Sequence, residues 1–311
     1  MRKFWRGEFR PPSAAWPPVA FFARKINERK SHMLYANSGK ILRWGRLLNP
    51  STDRSVIIAV DHGLLGTTPG LVNFERALRK ILPGGPDGLL IGPGMLSRYA
   101  HLLQGRERPG LVVTLDAFLN STLPNRGQDG EDYRMIASVE EAVRMGADAV
   151  KMVLIFGREQ VEVHADNVEE VARAARQCEA WGIPLMVEPT LWGITVPEPE
   201  KNDPDLIGSI CRIAVELGAD MLKAPYTGNP ETFRRIVEAS PVPVVILGGP
   251  RMNTEQDALN AVSGAIDAGA TGVAFGRNVF QHDNPTGMVK ALRRVVHDRV
   301  SAAEALKEVA G

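Results

Sequence analysis

The sequence predicts an α/β chain folded as one (β/α)8 barrel of the TIM type, with an N-terminal extension in front of it. Three observations point there. From residue 55 onward, eight short apolar, β-rich runs alternate with helical patterns, the signature of parallel βα units. Three of the runs follow a helix ending in nearly the same phrase, "RMGADAV", "ELGADML" and "DAGATGV", as one repeated unit would. The first run is followed by "DHGLLG", where a doubly wound open sheet would carry a glycine-rich dinucleotide turn.

In chain order, residues 1–35 read as an extension: basic, interrupted by proline and without periodicity. Its apolar piece, "VAFFA", is too short for the core of a signal peptide. A surface arm, sequence upstream of a functional start at Met33, and an arginine-rich targeting segment are the readings it allows. Residues 36–311 hold the barrel. Its eight runs are SVIIAVD (55–61), DGLLIG (87–92), LVVTLD (111–116), ADAVKMVLI (147–155), PLMVEP (184–189), ADMLKAP (219–225), PVVIL (243–247) and TGVAFG (271–276). In the repeated phrase the glycine ends a helix before the next apolar run begins. After the third run the segment "LPNRGQDGEDYR" (123–134) reads as a cover for the mouth of the barrel, a subunit contact or a surface loop. The last stretch, 286–310, reads as one amphipathic helix with surface to offer a neighbouring copy, and a homo-oligomer is expected.

Composition narrows the function classes. The 37 basic and 36 acidic residues give a net charge of +1, so no global field points to nucleic acid or to an anionic membrane. No apolar run approaches the ~20 residues that cross a bilayer. Two cysteines, far apart and without ligand-spaced partners, argue against a disulfide framework and fit a reducing cytoplasm. The six histidines show no ligand spacing, so neither a metal nor another cofactor is expected.

Barrel chemistry gathers at the C-terminal ends of the strands. There the chain places Asp61, Lys151, Glu188 and Lys223, on the first, fourth, fifth and sixth runs. Alternation puts Lys151 on the face of Ala149 and Val153, Lys223 with Met221, Glu188 with Met186 and Asp61 with Ala59, all pointing into the barrel. Isolated charges there would cost several kcal/mol each, by about the penalty of imperfectly compensated buried ions. Two carboxylates and two ammonium groups compensate one another, either as catalytic machinery or as an ion-pair brace. The seventh and eighth runs are followed by Gly248, Gly249 and by Gly276, Arg277, where bare backbone N–H groups and a planar guanidinium suit a phosphate. By the same alternation His62 should point away from the axis as a loop residue. Asp116 and Asn120 are open between pocket lining and turn formation. Trp192 and Tyr226 are candidate pocket walls.

The phrases "AVDHG" (59–63), "GADMLKAPYTG" (218–228), "VPVVILGGP" (242–250) and "GVAFGRNVFQHDNP" (272–285) resemble the class I aldolases of the archaeal-type fructose-bisphosphate aldolase family over most of the chain beyond residue 55. The resemblance implies a (β/α)8 barrel with Lys223 as Schiff-base lysine and Asp61 as the carboxylate of the first strand. The fifth run departs from it. That family carries an aromatic and tyrosine phrase there; this chain reads "LMVEPTLWG". Glu188 with Lys151 is similar instead to tagatose-bisphosphate and sulfosugar-phosphate aldolases, where a glutamate takes the acid/base role. The implied activity is making or breaking a carbon–carbon bond in a phosphorylated ketose, such as fructose- or tagatose-bisphosphate, with a sugar or triose phosphate as partner. An amine attacks a carbonyl only when unprotonated, and burial or a second positive charge favours that form. A transaldolase-like synthase or acyl transferase using the same lysine, and a non-catalytic sugar-phosphate-binding barrel, are the alternatives.

Overall fold

The structure is a computed structural model that describes residues 38–119 and 132–310. The extension 1–35, Asn120 and residues 123–131 of the segment after the third run lie outside the described residues. All eight expected runs are strands of one closed parallel barrel. They are β1 (Ser55–Ala59), β2 (Gly88–Ile91), β3 (Gly110–Thr114), β6 (Ala149–Ile155), β7 (Leu185–Thr190), β8 (Met221–Ala224), β9 (Val244–Leu247) and β10 (Gly272–Phe275). Two further strands, β4 (Asp116–Leu119) and β5 (Asp132–Met135), pair antiparallel between β3 and β6. Around the barrel the order is β1-β10-β9-β8-β7-β6-β3-β2, each pair parallel.

The strands are buried on both faces because helices wrap the outside and side chains fill the inside, which is why they read as continuous apolar runs. Phase along β6 shows the division. Val150, Met152 and Leu154 join the apolar layer beneath the helices, while Lys151, Val153 and Ile155 line the interior. Helix α1 (Ser38–Leu47) precedes β1, and the helices that follow are α2 (Phe74–Ile81), α3 (Pro93–Tyr99), α4 (Val139–Arg144), α5 (Val161–Trp181), α6 (Pro204–Glu216), α7 (Pro230–Ala239), α8 (Glu255–Asp267) and α9 (Arg277–Phe280). The glycines of the repeated phrase do end helices: Gly146, Gly218 and Gly269 follow α4, α6 and α8 with φ of 83°, 101° and 99°.

The aspartates of the same phrases do a second job. At the N-terminal end of the barrel, Asp148 accepts from the Leu111 backbone N–H at 2.9 Å and Asp220 from that of Leu185 at 2.9 Å. Asp87 of "GGPDG" accepts from Val56 in the same way, at 2.7 Å. Each therefore ties the start of its own strand to the start of the preceding neighbour in the barrel. Each is also charge-matched: Asp148 by Arg46 and Arg108, Asp220 by Lys40, and Asp87 by Arg293, with His297 Nε2 at 2.8 Å from its other oxygen. Lys40 and Arg46 both come from α1, which closes this end. A Cβ on Gly110 would lie 2.6 Å from the Arg46 carbonyl oxygen, so the barrel floor and α1 meet at backbone distance.

One expectation is corrected. The continuous C-terminal helix is a helix α10 (Pro285–Arg293), a π-type turn (Arg294–Asp298) and two short helices, α11 (Ala302–Ala305) and α12 (Lys307–Ala310). Arg299 adopts the left-handed conformation, φ 61°, and ends the run. Met288, Val289, Leu292, Val295 and Val296 are buried, so this face packs inward and is not a free apolar surface. The part of the 123–134 segment that is described, residues 132–134, is strand β5, with Tyr133 buried and its hydroxyl donating to Asp116 at 3.2 Å.

Candidate active site

At the C-terminal end of the strands lies a cavity of about 320 Å³. Asp61, Lys151, Glu188 and Lys223 all line it, so the four charges read as inward-facing are brought to one place. Glu188, on β7, stands between the two lysines. Its Oε1 is 2.9 Å from Lys223 Nζ and its Oε2 3.1 Å from Lys151 Nζ. Lys151 Nζ lies 3.8 Å from Asp61 Oδ2, which also accepts a hydrogen bond from Thr114 Oγ1 at 2.9 Å. Neighbouring parallel strands set these distances, since Lys151 is registered with Met186 and Val153 with Glu188.

Burial opposes the charges of Asp61, Lys151 and Glu188, and their partners outweigh it. The carboxyl of Glu188 is held below its usual range by Lys223 and Lys151, and that of Asp61 by Lys151, Lys223 and His62, despite burial. Lys151 is raised: burial disfavours its ammonium, but Glu188, Asp116 and Asp61 together favour it more. Lys151 is thus a fixed cation flanked by ionised carboxylates.

Asp116 belongs to the cavity and is no simple turn former. It is 3% exposed; Oδ2 accepts from the Val153 backbone N–H at 2.6 Å and from Tyr133, while Oδ1 has no partner. Burial, the largest influence, pushes its carboxyl up to about 6. His62 also lines the cavity, contrary to the alternation reading. Asp61 to Leu65 form a 3-10 turn, not a strand, so a period of two no longer governs where side chains point. His62 sits 3.7 Å from Asp61 Oδ1 and edge-on to Phe280, with ring centroids 5.1 Å apart. Burial, followed by other influences including Lys223 and Arg277, lowers its pKa.

The glycine loops divide between two cavities. Gly248 and Gly249 line a neighbouring one of about 1060 Å³, together with Tyr226 and Lys201. Arg277 and Trp192 line both. The Nε of Arg277 is buried and without a partner. Gly276 lines neither; a Cβ there would meet His62 Cε1 at 2.4 Å and the Ala59 carbonyl oxygen at 2.8 Å, so its role is close packing. Asn278 braces the two loops, donating to the Gly248 and Pro250 carbonyl oxygens and accepting from the Met252 N–H. Trp192 lines the cavity as expected, whereas Thr114, Arg158 and Phe118, whose ring lies 5.9 Å from that of Trp192, were not foreseen. Arg158 follows the fourth run by three residues, and its place in a βα loop was the signal available.

With this geometry in place, comparison with known proteins is consistent. A family model described as DeoC/LacD family aldolase matches residues 55–282. The chain is 36% identical over 271 residues to a 2-amino-3,7-dideoxy-D-threo-hept-6-ulosonate synthase of Halobacterium salinarum, covering 87% of this chain and 96% of that one. It is 34% identical over 258 residues to a 2-amino-4,5-dihydroxy-6-oxo-7-(phosphonooxy)heptanoate synthase of Streptomyces griseus, covering 83% and 90%. Among solved structures, a Schiff-base-forming fructose-1,6-bisphosphate aldolase superposes with a TM-score of 0.71 at 33% identity, covering 83% of this chain and all of that one.

Proposed function

The chain belongs to the DeoC/LacD family of aldolases, and from that premise we propose that it makes and breaks a carbon–carbon bond in a phosphorylated ketose through an imine on Lys223. The observation that carries the reading is the carboxylate of Glu188 held between Lys223 and Lys151 inside one cavity. Glu188 takes a proton from the Lys223 ammonium, and the freed amine adds to the ketone carbon. The carbinolamine loses water and becomes an iminium. A carboxylate then removes the proton from the hydroxyl on the far side of the scissile bond. The bond breaks, its electron pair moves into the iminium as an enamine, and the hydroxyl carbon leaves as an aldehyde. Protonation of the enamine carbon and hydrolysis of the new iminium return the ketone and the amine.

Glu188 is the acid and base for these transfers, being within hydrogen-bond reach of the nitrogen. Asp61, held by Thr114, assists carbinolamine turnover or orients sugar hydroxyls. Lys151 keeps both carboxylates ionised. The substrate phosphate sits where the two cavities meet, on Arg277, with the backbone of Gly248 and Gly249 at its back. Borohydride reduction with dihydroxyacetone phosphate, followed by intact mass and peptide mapping, tests the reading: a stable adduct on Lys223 supports it, and no adduct with folded protein refutes it.

A second reading uses the same residues with a different acceptor, as a transaldolase-like synthase. It is favoured by the names of the two curated relatives, both synthases. Product analysis with and without an added aldehyde separates synthesis or transfer from simple cleavage.

A further inference from the structure

Resting on the Schiff-base reading above, we propose that Asp116 is a specificity-determining residue of the same cavity. Its Oδ1 accepts a hydrogen bond from a substrate hydroxyl on the carbon next to the one that leaves as the aldehyde. Asp116 lines the cavity that holds Lys223 and is 3% exposed, yet its Oδ1 is buried without a hydrogen-bond partner. Among the described residues it is the one carboxylate of the cavity with such an atom. Glu188 gives Oε1 to Lys223 and Oε2 to Lys151; Asp61 accepts from Thr114 on Oδ2 and has His62 Nδ1 3.7 Å from Oδ1. A buried carboxylate oxygen left unpaired is costly, so inside a ligand cavity it marks where a donor belongs.

The fold holds this oxygen in place. Asp116 opens β4, and its other oxygen accepts from the Val153 backbone N–H at 2.6 Å and from the Tyr133 hydroxyl at 3.2 Å. Tyr133 comes from β5, where it is paired with Phe118 of β4. The hairpin thus supplies one donor and the barrel strand β6 the other. With Oδ2 bound by both, the direction of Oδ1 is set before a substrate arrives, and little freedom is lost on binding.

Its place in the barrel selects the hydroxyl. Val153 is registered with Glu188, and its N–H reaches Asp116, so the two carboxylates stand at one level on either side of β6. In the barrel order β8, with Lys223, is two strands from β10, which Arg277 follows, and three strands in the other direction from β3, which Asp116 follows. A substrate with its phosphate on Arg277 and its carbonyl carbon on Lys223 therefore runs past Glu188 toward Asp116. Glu188 serves the hydroxyl whose proton is lost in cleavage, and the next hydroxyl along the chain falls to Asp116. With its carboxyl at about 6, Asp116 is mostly ionised at neutral pH, which makes that bond charge-assisted.

The test runs the enzyme in the synthetic direction with dihydroxyacetone phosphate and two acceptors that differ by one hydroxyl, glyceraldehyde 3-phosphate and 3-oxopropyl phosphate. Wild-type enzyme is expected to favour the hydroxylated acceptor by at least about 10²-fold in kcat/KM, because the deoxy aldehyde leaves Oδ1 unpaired. Asp116→Ala should lower that ratio by at least about tenfold. Asp116→Asn, which keeps an oxygen for the Val153 N–H, should fall between the two and carries the test if thermal melts show that the alanine variant does not fold. Near-equal use of both acceptors by the wild type, or a wild-type ratio in every folded variant, overturns the proposal; a merely structural Asp116 would slow both acceptors alike. An absent Lys223 adduct with dihydroxyacetone phosphate alone removes the Schiff-base reading itself, a failure read by mass without any acceptor.

Discussion

The Nζ of Lys223 lies 2.9 Å from Oε1 of Glu188, and both side chains are almost wholly buried. One contact thus joins the amine that must lose a proton to the carboxylate placed to take it. Lys223→Met should abolish both turnover and borohydride-trapped adduct. Glu188→Gln should slow turnover by about 10²–10⁴, the range for a lost general acid–base group, while adduct formation stays detectable by mass. Normal turnover by Lys223→Met would falsify the mechanism.

The same carboxylate also holds the cavity together, and stability separates this role from the chemistry. Glu188→Ala removes the carboxylate that two buried lysines share, leaving Lys151 with only Asp116 and Asp61 for compensation, and should cost about 3–5 kcal/mol in urea denaturation. Adding Lys151→Met removes one of the two cations and should recover a substantial part of that loss. A double variant no more stable than Glu188→Ala would show that the charges are not coupled in folding.

Asp116 makes stability depend on pH in a direction opposite to the usual carboxylate. Unfolded, it releases its proton at roughly pH 4; folded, at about 6, because of burial. Between those values the native state binds more protons, so the contribution of Asp116 to stability falls as pH rises through this window and is constant above it. Asp116→Asn removes the effect. Relative to wild type it should gain up to about 3 kcal/mol on going from pH 4 to pH 7. Chemical denaturation at four pH values measures this, and a constant difference across them would mean that Asp116 titrates in the native state as it does in the unfolded chain.

Gly276 tests the packing behind the site. Gly276→Ala puts a methyl group against His62 Cε1 and the Ala59 carbonyl oxygen, one a ring wedged on Phe280 and the other backbone. The expected cost is about 1–3 kcal/mol, as for overpacking, with a rise in KM as His62 and the end of β1 shift. Melting and steady-state kinetics on the one variant check both; wild-type values in both would show that the neighbours yield without consequence.

The eight strands and the meeting of Asp61, Lys151, Glu188 and Lys223 were legible in the linear chain, since both follow from short-range rules. A doubly covered parallel strand must read as an apolar run, and a charge inside one can be assigned to a face by parity. Where the rule's premise held, as on β6 and β7, the direction was right. At His62 it failed, because the chain had already left the strand for a 3-10 turn and the period had changed.

What the sequence by itself determined was the repeating unit, the closed barrel it implies and the four charges at its C-terminal end. Only the tertiary structure decided how they are partnered: that Glu188 lies between the lysines, that Asp116 keeps one oxygen unpaired in the cavity, and that Asp87, Asp148 and Asp220 tie neighbouring strands at the other end. The physical reason is the difference in range. Periodicity and helix termination act over a few residues, whereas these partnerships join residues tens to more than a hundred positions apart, and only closure of the barrel brings them within hydrogen-bonding distance.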